Sequence, residues 1–157
     1  MKLLIIIPAR GGSKEIPRKN LRLLNGKPLI YYAINTALNL KYSTDVYVSS
    51  EDNEILNIAS QLGSKTHKRD PSIANDITTL DPVIYDCYKY AKNIEGIEYE
   101  YIITLQPTSP LLKSSSLNTA ITKAIANSNI ETIISSKDNT HLSWRKEGDK
   151  FLPNYKK

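Results

Sequence analysis

Residues 4–14 read Leu-Ile-Ile-Ile-Pro-Ala-Arg-Gly-Gly-Ser-Lys, an apolar strand running into a basic loop that contains glycine. Residues 3–7 are continuously aliphatic, the pattern of a strand buried on both faces. Pro8 marks its end, because proline cannot continue a ladder. Gly11 and Gly12 lack a Cβ, so the backbone there can take positive φ and bring its N–H groups close to an anion. Arg10, Lys14, Arg18, Lys19, Arg22 and Lys27 supply positive charge, and Glu15 is the only acid between positions 10 and 27. A loop of one sign after a buried strand predicts an anionic ligand. It is neither a P-loop, which needs G-x-x-x-x-G-K-[ST], nor a dinucleotide fingerprint, which needs G-x-G-x-x-G opening a helix. On composition alone the loop reads equally well as a solvated β-to-α connection.

Downstream, helix and strand patterns alternate. Pro28 can occupy the first turn of a helix whose apolar positions Leu29, Ile30, Ala33, Ile34, Ala37 and Leu38 fall at helical spacing. Residues 45–49 read as a strand. Ser50 or Asp52 can cap a second helix, with Ile55, Leu56, Ala59 and Leu62 as its buried stripe and Gly63 as its stop. A charged loop follows. Thr79 or Asp81 begins a third helix carrying Val83, Ile84, Cys87 and Ala91, and residues 101–105 form a second strongly apolar strand. Ser114, Ser115 or Ser116 offers a cap for a fourth helix built on Leu117, Ala120, Ile121, Ala124 and Ile125, and residues 131–135 read as a further strand. This alternation predicts an α/β fold with a doubly wound, mainly parallel sheet and helices on both faces. Ligands of such sheets bind outside the carboxyl ends of the strands. The Arg10 loop, Ser50-Glu51-Asp52 and Gln106-Pro107-Thr108-Ser109-Pro110 all fall there.

Composition bounds the reading. A chain of 157 residues, 40% hydrophobic, suits one soluble domain spanning residues 1–157, able to bury about two thirds of its unfolded surface. It has no apolar run long enough for a bilayer and no signal-peptide pattern at its start, so a cytoplasmic location is expected and no membrane partner. Cys87 is the single cysteine, read as an inert core residue. His67 and His141 have no partner at zinc-ligand spacing, and no metal ligand is assigned. A net charge of +5 would also suit nucleic acid. However, the cations concentrate in the first loop and at Lys146, Lys150, Lys156 and Lys157, without an aromatic platform, so no nucleic-acid partner is expected. The tyrosines, such as Tyr31, Tyr32, Tyr85, Tyr88 and Tyr90, read as half-buried packing residues.

Three motifs in order carry a family resemblance. Residues 7–21, Ile-Pro-Ala-Arg-Gly-Gly-Ser-Lys-Glu-Ile-Pro-Arg-Lys-Asn-Leu, are followed by Leu-Asn-Gly-Lys-Pro-Leu-Ile. Next come Lys68-Arg69-Asp70-Pro71 with Asp76-Ile77-Thr78-Thr79, and then Leu105-Gln106-Pro107-Thr108-Ser109-Pro110-Leu111. Together they resemble the CMP-sialic acid synthetases, the acylneuraminate cytidylyltransferases and their relatives for legionaminic and pseudaminic acids. The likeness spans residues 3 to about 112, with weaker similarity toward residue 145. It implies a Rossmann-like nucleotide-diphospho-sugar transferase fold. The implied reaction is CTP plus a nonulosonic, sialic-acid-like sugar giving a CMP-sugar and pyrophosphate for cell-surface glycans such as lipopolysaccharide or capsule. It also implies Mg2+ as cofactor and a homodimer.

The resemblance and the chemical need together nominate residues. Arg10, Lys14 and Lys19 suit neutralisation of triphosphate charge, Arg10 through bidentate contacts and Lys19 as a point charge. The amides of Gly11, Gly12 and Ser13 could line the same groove. Backbone beside Ala9 and Arg10 could read the cytosine. By family similarity Asn20 holds the ribose or phosphate region, and Arg69 and Thr79, ahead of Thr78, approach the cytidine half. Arg10, Lys19 and Gln106 are the catalytic assignments, Gln106 presenting both a donor and an acceptor. Without the motif, Arg69 would read as a surface cation paired with Asp70. Glu51, Asp52, Asp76 and Asp81 read first as caps or solvated acids. Trp144 and Arg145 approximate a sugar-contacting stretch from which no residue is carried over. Family members continue into a dimer-forming extension and late Asp-x-Asp metal ligands, and nothing like these follows Phe151. The chain is therefore expected to be truncated at its carboxyl end, and the alternative reading is a catalytically inactive CTP-binding remnant. A relative using 3-deoxy-manno-octulosonate is disfavoured, because Gln106-Pro107-Thr108 stands where those enzymes carry an acidic metal ligand.

Overall fold

The computed structural model describes residues 2–75, 77–135, 144–148 and 150–153. Strand β1 (Leu3–Pro8) lies between two parallel neighbours, and both of its faces are covered. Its side chains alternate: Ile5 and Ile7 enter one core cluster, while Leu4 and Ile6 enter the other. A period of two with both faces apolar is the physical meaning of the uninterrupted aliphatic run.

After β1 the chain makes a 3-10 turn at Lys19–Leu21 and a short hairpin, β2 (Leu23–Leu24) and β3 (Lys27–Pro28). Asn25 and Gly26 turn this hairpin with φ of 47° and 75°, the left-handed pair that a two-residue hairpin turn favours. Helix α1 (Leu29–Leu38) follows directly, with Pro28 one residue ahead of its first turn. Strand β4 (Thr44–Ser50), helix α2 (Asn53–Gln61) and strand β5 (Lys65–Lys68) come next. Asp52 caps α2, accepting from the Glu54 and Ile55 amides at 2.8 and 3.2 Å. Gly63, at φ 90°, lies just past its end. Helix α3 (Leu80–Glu95), strand β6 (Tyr101–Thr104) and helix α4 (Ser114–Ala126) continue the alternation. A separate antiparallel hairpin, β7 (Trp144–Glu147) and β8 (Lys150–Pro153), closes the described residues.

The main sheet has the order β5-β4-β1-β6 and is parallel throughout. Helices α1 and α2 bury Ile30, Ala33, Ile34, Ala37, Ile55, Leu56 and Ala59 on one face, and α3 buries Cys87 and Ala91 on the other. The doubly wound α/β architecture read from the sequence is thus present. Three local expectations are corrected. Residues 65–68, read as charged loop, are the edge strand β5; Lys-Thr-His-Lys carries no apolar signal, and only His67 is buried. Residues 131–135, read as a strand, form none, and Ile133 and Ile134 are exposed. β-branched residues favour a strand only where a ladder partner exists. The α4 cap position is Lys113, with no side-chain cap, and the three serines lie inside the first turn.

The amino ends of the strands are tied electrostatically. Asp45, at the start of β4, accepts from Lys65 Nζ at 2.8 Å and Tyr99 Oη at 3.0 Å, and lies 3.4 Å from Lys2 Nζ. Lys65 also pairs with Glu95 at the end of α3, at 2.6 Å. Burial pushes the Asp45 carboxyl up, but the hydrogen bonds from Lys65 and Tyr99 and the charges of Lys65 and Lys2 outweigh it and hold its pKa below the usual value. A depressed carboxylate contributes stability above its unfolded pKa, about 3.9, and loses it as pH falls through the lower folded value. Asp45→Asn is expected to cost about 1–3 kcal/mol at pH 7. The gap to wild type should shrink as urea unfolding is followed from pH 6 to 3; a gap independent of pH contradicts this account.

Candidate active site

The parallel sheet delivers four loops to one rim. Past β1, the Ala9 amide still donates to the Ser49 carbonyl at 2.9 Å, and past β5 the Arg69 amide donates to Ser50 O at 3.1 Å. Past β6, the Leu105 amide donates to Ile6 O at 3.0 Å. Each loop therefore leaves from a pinned point.

The first loop folds back on itself. Asn20 is buried, and its Nδ2 donates to the Arg10 carbonyl at 2.9 Å. Arg18, at φ 58°, turns its guanidinium to Asp52 at 2.5 Å and to Glu54, at the start of α2. Neither Gly11 nor Gly12 has positive φ, contrary to the sequence expectation. Gly11 is required by close approach instead: a Cβ there would stand 2.5 Å from Asp52 Oδ2, whereas one on Gly12 would meet nothing within 4 Å.

Glu51 joins the loops. Its Oε1 accepts the Gly11 amide at 2.7 Å, and its Oε2 accepts Arg69 Nη2 at 2.9 Å and Nε at 3.3 Å. Burial raises the Glu51 pKa, but the Arg69 hydrogen bond, backbone donors and the Arg69 charge more than offset it, so the net shift is downward and the group is a carboxylate near neutrality. Arg69 is only 4% exposed. It is therefore no surface cation paired with Asp70, whose side chain instead accepts from Ser72 N at 2.8 Å and starts a 3-10 turn at Pro71–Ile73. Beside Arg69, His67 Nδ1 meets Ser49 Oγ at 3.0 Å; burial lowers its pKa most, Asp86 opposes this and Arg69 reinforces it.

Asn75 shapes the next stretch, its Oδ1 accepting from the Ile77 and Thr78 amides and from Thr78 Oγ1. Thr79 sits at the α3 cap position without making a side-chain cap bond. After β6, Pro107 is buried while Gln106 and Thr108 are exposed. The Ser109 amide closes a turn on Gln106 O at 3.1 Å.

These loops enclose a cleft of about 390 Å³, to which Arg10, Ser13, Lys19, Asn20, Arg69, Thr79 and Gln106 contribute. Other nominated residues stand elsewhere. Ala9 is fully buried in the core, Gly11 spends its amide on Glu51, and neither lines the cleft, nor do Gly12 and Lys14. Of the backbone beside Ala9 and Arg10, the Ala9 N–H donates to the Ser49 carbonyl and the Arg10 carbonyl accepts from Asn20 Nδ2. Asp76, Asn154, Tyr155, Lys156, Lys157 and His141 lie outside the described residues, as do the side chains of Trp144 and Arg145. Sequence reasoning missed the Glu51 bridge, although Ser50-Glu51-Asp52 at a strand's carboxyl end marked the place.

A family model described as Cytidylyltransferase matches residues 4–147. This chain belongs to the cytidylyltransferase family. It is 41% identical over 128 residues to a pseudaminic acid cytidylyltransferase of Campylobacter jejuni, covering 81% of this chain and 55% of that protein. It is 34% identical to a CMP-N,N'-diacetyllegionaminic acid synthase of Legionella pneumophila, covering 77% and 52%. With N-acylneuraminate cytidylyltransferase A of Danio rerio it shares 31% over 140 residues, covering 89% and 31%. The fold is that of a CMP:2-keto-3-deoxy-manno-octonic acid synthetase solved with CTP, at TM-score 0.66 and 23% identity, covering 82% of this chain and 49% of that one. The chain thus spans about half the length of the two bacterial relatives it matches.

Magnesium is expected for the family, yet among the described residues no three His, Cys, Asp or Glu side chains are grouped to hold a metal. Glu51 is engaged by Gly11 and Arg69, and Asp52 by the α2 amides and Arg18. These residues, each already satisfied by cationic or N–H donors, do not fit a metal site. No helix among the described residues is long and apolar enough to cross a membrane.

The two loop glycines should behave differently. Gly11→Ala is expected to displace Asp52 from its cap and destabilise the fold by about 1–3 kcal/mol, whereas Gly12→Ala should fall within about 0.5 kcal/mol of wild type. Urea denaturation of both variants checks this, and equal effects would contradict the close-approach explanation.

Proposed function

We propose that the cleft binds CTP and that the protein transfers its cytidylyl group to a nonulosonic acid. The observation that carries this reading is the convergence of Arg10 and Lys19, Arg69, and Gln106, from the loops after β1, β5 and β6, on one 390 Å³ cleft. The relatives' names, pseudaminic, legionaminic and N-acylneuraminic acid among them, supply the sugar class. In the proposed reaction the sugar's anomeric oxygen attacks the α-phosphorus, the bond to the bridging oxygen of the β-phosphate breaks, and pyrophosphate leaves. The hydroxyl proton goes to solvent or to a base.

Transfer of this kind depends on positioned charge more than on covalent participation by the protein. Arg10 offers a planar fork to phosphate oxygens and Lys19, half-buried at the loop's return, a compact charge. Asn20 fixes the Arg10 carbonyl and thereby the backbone from which that arginine projects. Gln106 stands on a turn closed by the Ser109 amide and anchored by buried Pro107, so the backbone from which its amide projects is held in place.

Pyrophosphate release from CTP, with magnesium and a panel of nonulosonic acids, and with ATP and GTP as controls, tests the reading. Release dependent on CTP and one sugar is the expected result. CTP binding without release by any sugar would leave a nucleotide-binding chain instead, and absence of both would reject the assignment. Arg10→Ala is expected to reduce turnover, or CTP affinity where turnover is absent, by about a hundredfold or more. Gln106→Ala should impair turnover with an unchanged Tm, because the loop is held by its prolines; early melting would make Gln106 a structural residue.

A further inference from the structure

We propose that Glu51 is a positioning residue of the nucleotide cleft, anchored by the Gly11 amide and fixing in turn the orientation of the Arg69 guanidinium. The proposal rests on the reading of the cleft as a CTP site. Glu51 does not itself line the cleft, whereas Arg69 does, so any effect of Glu51 on the ligand passes through its neighbours.

The two carboxylate oxygens have separate tasks. Oε2 receives the Nε and Nη2 edge of Arg69, at 3.3 and 2.9 Å, and Oε1 receives the Gly11 amide at 2.7 Å. The edge held is one side of the fork, leaving Nη1 as the guanidinium nitrogen outside this pair. A long arginine stem otherwise samples many rotamers, and a fork pinned along one edge loses that freedom before a ligand arrives. Other acids around the rim are directed elsewhere: Asp52 and, in α2, Glu54 pair with Arg18, and Asp70, after β5, accepts from the Ser72 amide. Arg69 is buried, so its charge requires a close partner.

A glutamine cannot reproduce this arrangement. Its amide has one acceptor and one donor end, so it can accept from Gly11 or from Arg69 but must present N–H groups to the other. Glu51→Gln therefore breaks the relay with almost no change in volume. Glu51→Asp keeps the charge and withdraws it by one methylene.

The test is CTP affinity, by calorimetry with magnesium, of the wild-type chain, Glu51→Gln, Glu51→Asp, Arg69→Ala and the double variant Glu51→Gln/Arg69→Ala, well below each Tm. Glu51→Gln is expected to bind about tenfold more weakly, and Glu51→Asp a few-fold more weakly. In the Arg69→Ala background, Glu51→Gln should add less than about twofold, because coupled residues are not additive. Unchanged or tighter binding in Glu51→Gln would overturn the proposal, the first making Glu51 structural and the second making it a competitor of the ligand. Additive losses would overturn it as well. If Glu51→Gln does not fold, wild-type affinity in Glu51→Asp would do the same. Wild-type chain that binds no CTP rejects the functional reading itself, a result visible before any variant is made.

Discussion

Parallel pairing of β1 with β4 on one side and β6 on the other is the constraint from which the site follows. Parallel strands end together, so the loops after β1, β4, β5 and β6 emerge on the same rim although they are far apart in sequence. The first core cluster holds this alignment from below, with Ile5, Ile7 and Val48 packed against α1 and α2. At the opposite ends of the strands the charges of Lys2, Asp45, Lys65 and Glu95 satisfy one another. Cations are thus compensated within the fold at that end, and the other end brings Arg10, Lys19 and Arg69, the last paired with Glu51, around a cleft.

That rim is less positive than its sequence suggests. The first loop carries one acid among many bases, but the loop after β4 and the first turn of α2 bring Glu51, Asp52 and Glu54 against it. Arg18 and Arg69 each meet a carboxylate from this second loop. The acids therefore serve as struts between loops, and a count of charges along the first loop overstates what it can offer a phosphate.

Much of the framework was legible. The aliphatic run of β1 and the helical spacing in α1, α2 and α3 follow from local rules, as does a cap at the start of α2, which the sequence leaves open between Ser50 and Asp52 and Asp52 fills. β5 was not legible because an edge strand of lysine, threonine and histidine makes its ladder from backbone alone. The need for glycine at position 11 is of a kind the local sequence does not carry: its φ is not positive, and the atoms a Cβ would meet belong to Asp52, forty-odd residues away. Glu51 was noticed as an acid at the rim, but that it bridges Gly11 and Arg69 depends on the spacing of three strand ends, which no local pattern encodes. Residues 131–135 show the converse, β-branched sequence with no ladder beside it.

The central place of β1 also shapes how the chain reaches its fold. β1 is the most apolar segment of the molecule and precedes both partners in synthesis, since Leu3 aligns with Thr44 on one side and Tyr101 on the other. Non-local parallel pairing is slow, because loop closure costs entropy before any contact offsets it. Until β6 has left the ribosome, the second edge of this aliphatic strand has no native neighbour, and an unpaired apolar strand is an aggregation hazard. The same five buried residues that make the sheet stable are thus the ones left open to mispairing until residues 101–104 are available.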